Sequence, residues 1–130
     1  MDELNGTIFY RPEQKDNNNL QVTVFDANNS PRVFSLADFH KSIITFGREQ
    51  DNDISLSSPL VSRKHGRFVR TVNGWRIEDA DSLNGLTYNE AMVKARDLAD
   101  GDFVRIDDNL EAMEEGVLFV FSSAESVNKW

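Results

Sequence analysis

The chain has 130 residues, of which 39% are hydrophobic and 28% charged, a formal net charge of −8 and no cysteine. That size and apolar share suit one domain with its own core, while the negative charge works against long-range attraction to nucleic acid or anionic membranes. Without cysteine, disulfides and thiolate chemistry are excluded, in keeping with a reducing, cytoplasmic setting.

Residues 1–19 read as an N-terminal extension with one candidate strand, T7-I-F-Y, ahead of the polar run R-P-E-Q-K-D-N-N-N. The acidic start lacks the apolar core of a signal peptide, and no run anywhere nears the ~20 apolar residues of a membrane helix. L20-Q-V-T-V-F alternates apolar and polar, the period of a half-buried strand. R32-V-F-S-L follows the turn N28-N-S-P, I43-I-T-F runs to Gly47, and D53-I-S-L is brief. G66-R-F-V-R-T and W75-R-I-E flank V72-N-G, a hairpin signal. L86-T-Y-N, M92-V, F103-V-R-I-D and V117-L-F-V-F follow, and residues 122–130 form a tail. S35-L-A-D-F-H is the one helix candidate and is too short to shape the architecture. Strands at this spacing, with nine Phe and two Trp to fill the space between sheets, predict an all-β sandwich.

Three turns fall where strands end: F46-G-R, P59-L-V-S-R-K-H and D81-S-L-N-G. Loops at one end of a sandwich meet in space although they are distant in sequence. Gly47 lets the chain turn with little steric cost, so that Arg48 projects from a strand end. An Arg fork donates two charge-assisted bonds to a tetrahedral oxyanion. Ser62 adds a hydroxyl and Arg63 a second cation. The Asn84 amide donates and accepts, which suits the main chain of an extended peptide. Gly85 permits positive φ and keeps a side chain out of the ligand's path. Together they make a shallow anion pocket beside a backbone clamp, a match for a phosphorylated residue of about −1.5 to −2 charges.

I44-T-F-G-R, D51-N-D-I-S-L, V61-S-R-K-H, G74-W-R-I-E-D, D81-S-L-N-G and D100-G-D-F-V-R-I, in this order and spacing, resemble the forkhead-associated (FHA) domain over roughly residues 20–121. The resemblance implies an eleven-stranded β-sandwich of the FHA (SMAD-like) type that reads phosphothreonine peptides. It implies Arg48 and Ser62 as phosphate contacts, Arg63 as a further grip, and Asn84 as the holder of the peptide main chain. It implies Gly47, His65 and Gly85 as loop framework, with His65 bracing the serine's loop through hydrogen bonds. Leu60 and Leu83 stand where neighbouring residues of the peptide would be sensed. Leu83 precedes the asparagine where many relatives carry Thr or Ser, which removes one side-chain hydroxyl contact. Leu86 stands where Thr is common.

Plainer roles stand beside these. Arg48 could pair with Glu49 or Asp51, and Ser62 could cap its turn. Lys64, Arg67 and Arg70 read as a solvated strand face, and Asn73-Gly74 repeats the Asn84-Gly85 dipeptide in a plain hairpin. Asp51-Asn52-Asp53 does not complete a calcium loop, because Leu56 and Ser62 stand where Gly and Glu are needed. Two histidines without cysteine make no zinc cluster, and nothing supplies a nucleophile elbow. The expectation is a non-enzymatic, cofactor-free and metal-free module. Its partner is a Thr-phosphorylated protein in a Ser/Thr kinase pathway. A phospho-independent interaction domain on the same fold is the alternative, and a regulator that binds a small anionic metabolite ranks behind both.

Overall fold

The computed structural model describes residues 19–107 and 115–123, which form eleven strands in two sheets. The six-stranded sheet holds β1 (Leu20–Asp26), β2 (Arg32–Ser35), β7 (Leu86–Tyr88), β8 (Ala91–Val93), β10 (Phe103–Ile106) and β11 (Val117–Ser123), in the order β2-β1-β11-β10-β7-β8. The five-stranded sheet holds β3 (Ile43–Gly47), β4 (Ile54–Ser55), β5 (Gly66–Thr71), β6 (Gly74–Asp79) and β9 (Ala95–Asp97), in the order β4-β3-β5-β6-β9. Every pairing is antiparallel except that of β3 with β4. The expected eleven-stranded sandwich is therefore the observed one. The T7-I-F-Y strand lies outside the described residues.

Period-two alternation sets the register. Leu20, Val22 and Val24 on β1 point inward and are fully buried. Val22 and Val24 pair with Phe121 and Phe119 of β11. On the facing sheet Ile44, Phe68 and Ile77 lie in one inward row across β3, β5 and β6. The two inner faces meet in a ring cluster: Phe46 lies 5.0 Å from Phe68 and 5.1 Å from Phe119, and Phe68 lies 5.9 Å from Phe121. Fully burying a side chain of this kind is worth about 1.5–3 kcal/mol, so this cluster anchors the ends of the strands from which the loops spring.

Several details go beyond these expectations. Phenylalanine does not fill the core uniformly, since Phe25 and Phe103 are 40% and 49% exposed. They occupy outward positions of β1 and β10, on the side that the period directs to solvent. S35-L-A-D-F-H forms a single 3-10 turn, Leu36–Phe39, closed by His40 in the left-handed region at φ +56°. β9, a short exposed run of Ala-Arg-Asp, was not anticipated. In the β5–β6 hairpin Thr71 pairs with Gly74, so Val72 and Asn73 make the turn and Gly74 opens the strand.

Candidate functional site

The three turns meet at one end of the sandwich, lashed together by hydrogen bonds. The first begins where β3 ends. Arg48 N–H donates to Ser62 O at 3.0 Å and Glu49 N–H to Arg63 O at 3.2 Å. The Arg48 side chain follows the same path, its Nε donating to Val61 O at 2.7 Å. That bond commits Nε, so the two terminal nitrogens form the edge left to meet a ligand. Asn52, which is buried, completes the junction by donating through Nδ2 to Glu49 O at 2.8 Å and Arg63 O at 2.9 Å.

Gly47 has a different reason from the one its turn suggested. It is not among the positive-φ residues. Instead, a Cβ there would lie 2.2 Å from Arg63 O and 2.8 Å from its carbon. The second turn crosses so close to β3 that no side chain fits.

The second turn joins the third through four contacts. Leu83 N–H donates to Ser62 Oγ at 3.0 Å, and Asn84 Nδ2 donates to Leu60 O at 2.8 Å. Ala80 N–H donates to His65 O at 2.9 Å, and His65 Nε2 bonds Gly85 O at 2.9 Å. Because Ser62 Oγ accepts from Leu83, its own proton is left to donate outward. Asn84, with one N–H held by Leu60, keeps its carbonyl oxygen and second N–H for a ligand. Gly85 takes φ +72° at the end of this turn, a conformation that glycine adopts without steric cost.

His65 sits under the rim with no exposed surface. Its Nδ1 accepts from Ser62 N–H at 3.0 Å, so the proton is on Nε2, which donates to Gly85 O. Burial pushes the imidazole below its ordinary pKa, outweighing the opposing pull of the Gly85 carbonyl and the Asp79 carboxylate. A neutral ring is what this pair of bonds requires, since a protonated Nδ1 would face the Ser62 N–H.

Arg48 and Arg63 are exposed, and neither guanidinium has an ion-pair partner among the described residues. The neighbouring cations differ. Lys64 pairs with Glu49 at 3.0 Å and Asp51 at 3.4 Å. Arg67 pairs across the strands with Glu78 at 2.9 Å. Arg70 is exposed on β5. The structure thus brings Arg48, Ser62, Arg63 and Asn84 to one rim, with Gly47, His65 and Gly85 beneath or between them. Leu60 is half-buried and contributes its carbonyl, and Leu83 is 88% exposed. Leu86 is fully buried, so the residue after Gly85 belongs to the core and not to the rim.

Three supports had no reading in the sequence as site residues. Asn52 is one. Asp79 is another: it accepts the Ser82 O–H, and Ser82 Oγ in turn accepts Gly85 N–H at 2.9 Å, which shapes the third turn. Asp26, at the end of β1 in the other sheet, accepts Ser57 N–H at 2.7 Å and Ser58 N–H at 3.0 Å. Ser58 Oγ then accepts Leu60 N–H at 3.1 Å. The acid-Asn-acid run is spent on structure: Asp53 binds Lys41 at 2.7 Å and Thr45 N–H at 2.9 Å. Among the described residues no cluster of three or more His, Asp or Glu could hold a metal ion, and no helix is long and apolar enough to cross a membrane.

Fold and rim together define a β-sandwich that presents its polar groups on loops at one end. The FHA domain family model matches residues 44–107, which include all three turns, and the chain carries an FHA domain. Rv1747 of Mycobacterium tuberculosis, an ABC transporter ATP-binding/permease protein, is 44% identical over 63 residues, 48% of this chain and 7% of that protein. The glycogen accumulation regulator GarA of M. tuberculosis is 39% identical over 66 residues, 51% of this chain and 41% of that protein. The chain therefore spans less than half the length of these two relatives. Among solved structures, M. tuberculosis EmbR in complex with a low affinity phosphopeptide superposes with a TM-score of 0.59 at 30% identity, covering 79% of this chain and 24% of that one.

Proposed function

We propose that this domain binds phosphothreonine peptides of partner proteins, in the cytoplasm and within a Ser/Thr kinase pathway, and performs no catalysis itself. The module extends over about residues 20–121, with Arg48, Ser62 and Arg63 on the phosphate and Asn84 on the peptide main chain. The observation that carries this reading is the lashing of the three turns. The bonds from Arg48 to Val61, Leu83 to Ser62 and Asn84 to Leu60 leave a guanidinium edge, a hydroxyl proton and an amide facing outward from one rim. EmbR, a relative in fold and sequence, is seen with a phosphopeptide.

In this mechanism Arg48 and Arg63 neutralise the doubly charged phosphate while the Ser62 hydroxyl donates to one of its oxygens. Each charge-assisted bond contributes about 1.5–3 kcal/mol. His65 keeps the serine loop in place without touching the ligand, and Asn84 orients the extended peptide. A slot for the γ-methyl disfavours phosphoserine by about 1–3 kcal/mol, the usual worth of one methyl group in an apolar slot.

Calorimetry with matched peptides tests the proposal. A phosphothreonine peptide binds, its unmodified counterpart does not, and Arg48→Ala and Arg63→Ala each weaken binding by about tenfold or more. Equal affinity for both peptides would replace this reading with phospho-independent interaction.

A further inference from the structure

The two sheets differ on the sides turned away from the core. The outer face of the five-stranded sheet is laced with ion pairs, Arg67 with Glu78 at 2.9 Å and Arg76 with Asp97 at 3.0 Å. That of the six-stranded sheet is largely apolar. Its registers set Val33, Thr23, Val120 and Phe103 in one row across β2, β1, β11 and β10. A second row runs Phe25, Leu118 and Arg105. Val33 is 61% exposed, Phe103 49% and Phe25 40%. A sheet that turns one face to water normally alternates apolar-in with polar-out. This one breaks that rule on its two longest strands, β1 and β11, and a continuous apolar patch of this kind marks an interaction surface.

Three features suit the face to a second copy of itself. The first is charge. Two chains of net charge −8 repel each other, so they can meet only where little charge is presented. Arg105 is the one charged side chain at the outward strand positions of this face, and its Nε already donates to Asp107 Oδ2 at 3.0 Å. The second is shape. A hollow of about 270 Å³ lies between Arg105 and Phe25, and another of about 320 Å³ lies beside Arg105 toward Thr87 and Phe103. One patch thus offers both exposed rings and hollows to receive them, as a two-fold contact requires, where the same surface serves both sides. The third is size. Six strands span about 25 Å and the seven-residue strands run about 20 Å. The flat projection is about 500 Å² per copy, which reaches the roughly 1,000 Å² total of a specific interface before the relief of the side chains is added.

We propose that this face pairs with the same face of a second copy, the two six-stranded sheets packing outer side to outer side about 10 Å apart. The rim of Arg48, Ser62 and Asn84 lies at the end of the sandwich and takes no part, so the pair presents two open rims.

Sedimentation of the 130-residue chain from about 1 to 500 µM, a range that brackets micromolar affinity, tests the pairing. The mass rises from 14.8 kDa toward twice that value, and added salt strengthens the association by screening two like-charged chains. Val33→Glu and Phe103→Glu, both at exposed positions, each weaken it by about tenfold or more, while Arg48→Ala leaves it unchanged. In the unaltered chain the methyl resonances of Val33 and Val120 shift with concentration, and those of Val72 at the hairpin tip and Val61 under the rim stay in place. A dimer that survives both Glu variants, that salt dissociates, or whose shifts fall on other residues would overturn the proposal. So would a mass of 14.8 kDa at every concentration. Nuclear Overhauser contacts from Ile8 or Phe9 to Val120 in that monomer would assign the face to the chain's own T7-I-F-Y segment, and their lack would assign it to a different protein.

Discussion

Gly47→Ala places one methyl group where the chain crosses itself. The new Cβ would sit 2.2 Å from Arg63 O, 2.8 Å from Arg63 C and 3.0 Å from Asn52 Nδ2. The first two are main-chain atoms, so no rotamer relieves the contact and the Ser62–Arg63 segment must retreat by about an ångström, in an interior packed too tightly to absorb it. Three hydrogen bonds depend on the present spacing: Arg48 N–H to Ser62 O, Glu49 N–H to Arg63 O, and Asn52 Nδ2 to Arg63 O. At about 0.5–1.5 kcal/mol each, their weakening costs up to about 4.5 kcal/mol. Replacing glycine returns about 0.4–1 kcal/mol by restricting the unfolded chain. The net loss is about 1–4 kcal/mol, against a total stability of about 5–15 kcal/mol for a domain. Urea unfolding followed through the buried Trp75 should show a lower midpoint with an unchanged slope. Phosphopeptide affinity should fall further than in Ile77→Val, a core change that costs about 0.5–1.5 kcal/mol without touching the rim. A variant with stability within about 0.5 kcal/mol of the parent and full affinity would refute the close crossing as the reason for glycine.

Asn52→Ala removes a buried donor shared by two carbonyls and should cost about 1–3 kcal/mol in denaturant unfolding; Asn52→Asp, which cannot donate, should be no better. His65 is held below its ordinary pKa in the folded state, so the unfolded chain binds its proton first as pH falls. Its contribution is therefore fully present above about pH 6.5 and declines below it as pH approaches the lower folded pKa. Peptide-free unfolding across this range, with nitrogen spectra that report an Nε2–H imidazole at neutral pH, checks both the sign and the tautomer. Arg67→Ala should change stability by less than about 1 kcal/mol, because its pair with Glu78 is partly solvated, and isothermal titration should show unchanged peptide affinity.

Strands buried on one face were legible, because alternation on β1 and β11 reports directly which side meets the core. β9 was not legible, since all three of its residues are exposed and carry no periodic signal. Composition and spacing led to a sandwich; the strand count came from the resemblance. Rim residues were legible as chemical types suited to an anion, and the fold explains how turns so far apart in sequence come to lie side by side. The supports were hidden for a common reason. Asn52 acts on carbonyls up to 11 residues away, and Asp26 holds main-chain N–H groups 31 and 32 residues away. A main-chain partner leaves no mark in the residue types at its position. Gly47 was placed in the framework by the resemblance, but its steric cause required knowing what crosses in front of it.

The frame beneath the rim ends largely on carbonyl oxygens, those of Leu60, Val61, Ser62, Arg63 and Gly85. A carbonyl is the same whatever side chain it belongs to. Under the proposed function, the half-buried position 60 and the exposed position 83 could therefore be rewritten while the scaffold stays in place, and sequence context would then be read independently of the grip on the phosphate. A combinatorial library at these two positions should return mostly folded members that differ in ligand preference, which is the property a lineage needs to acquire new partners one substitution at a time.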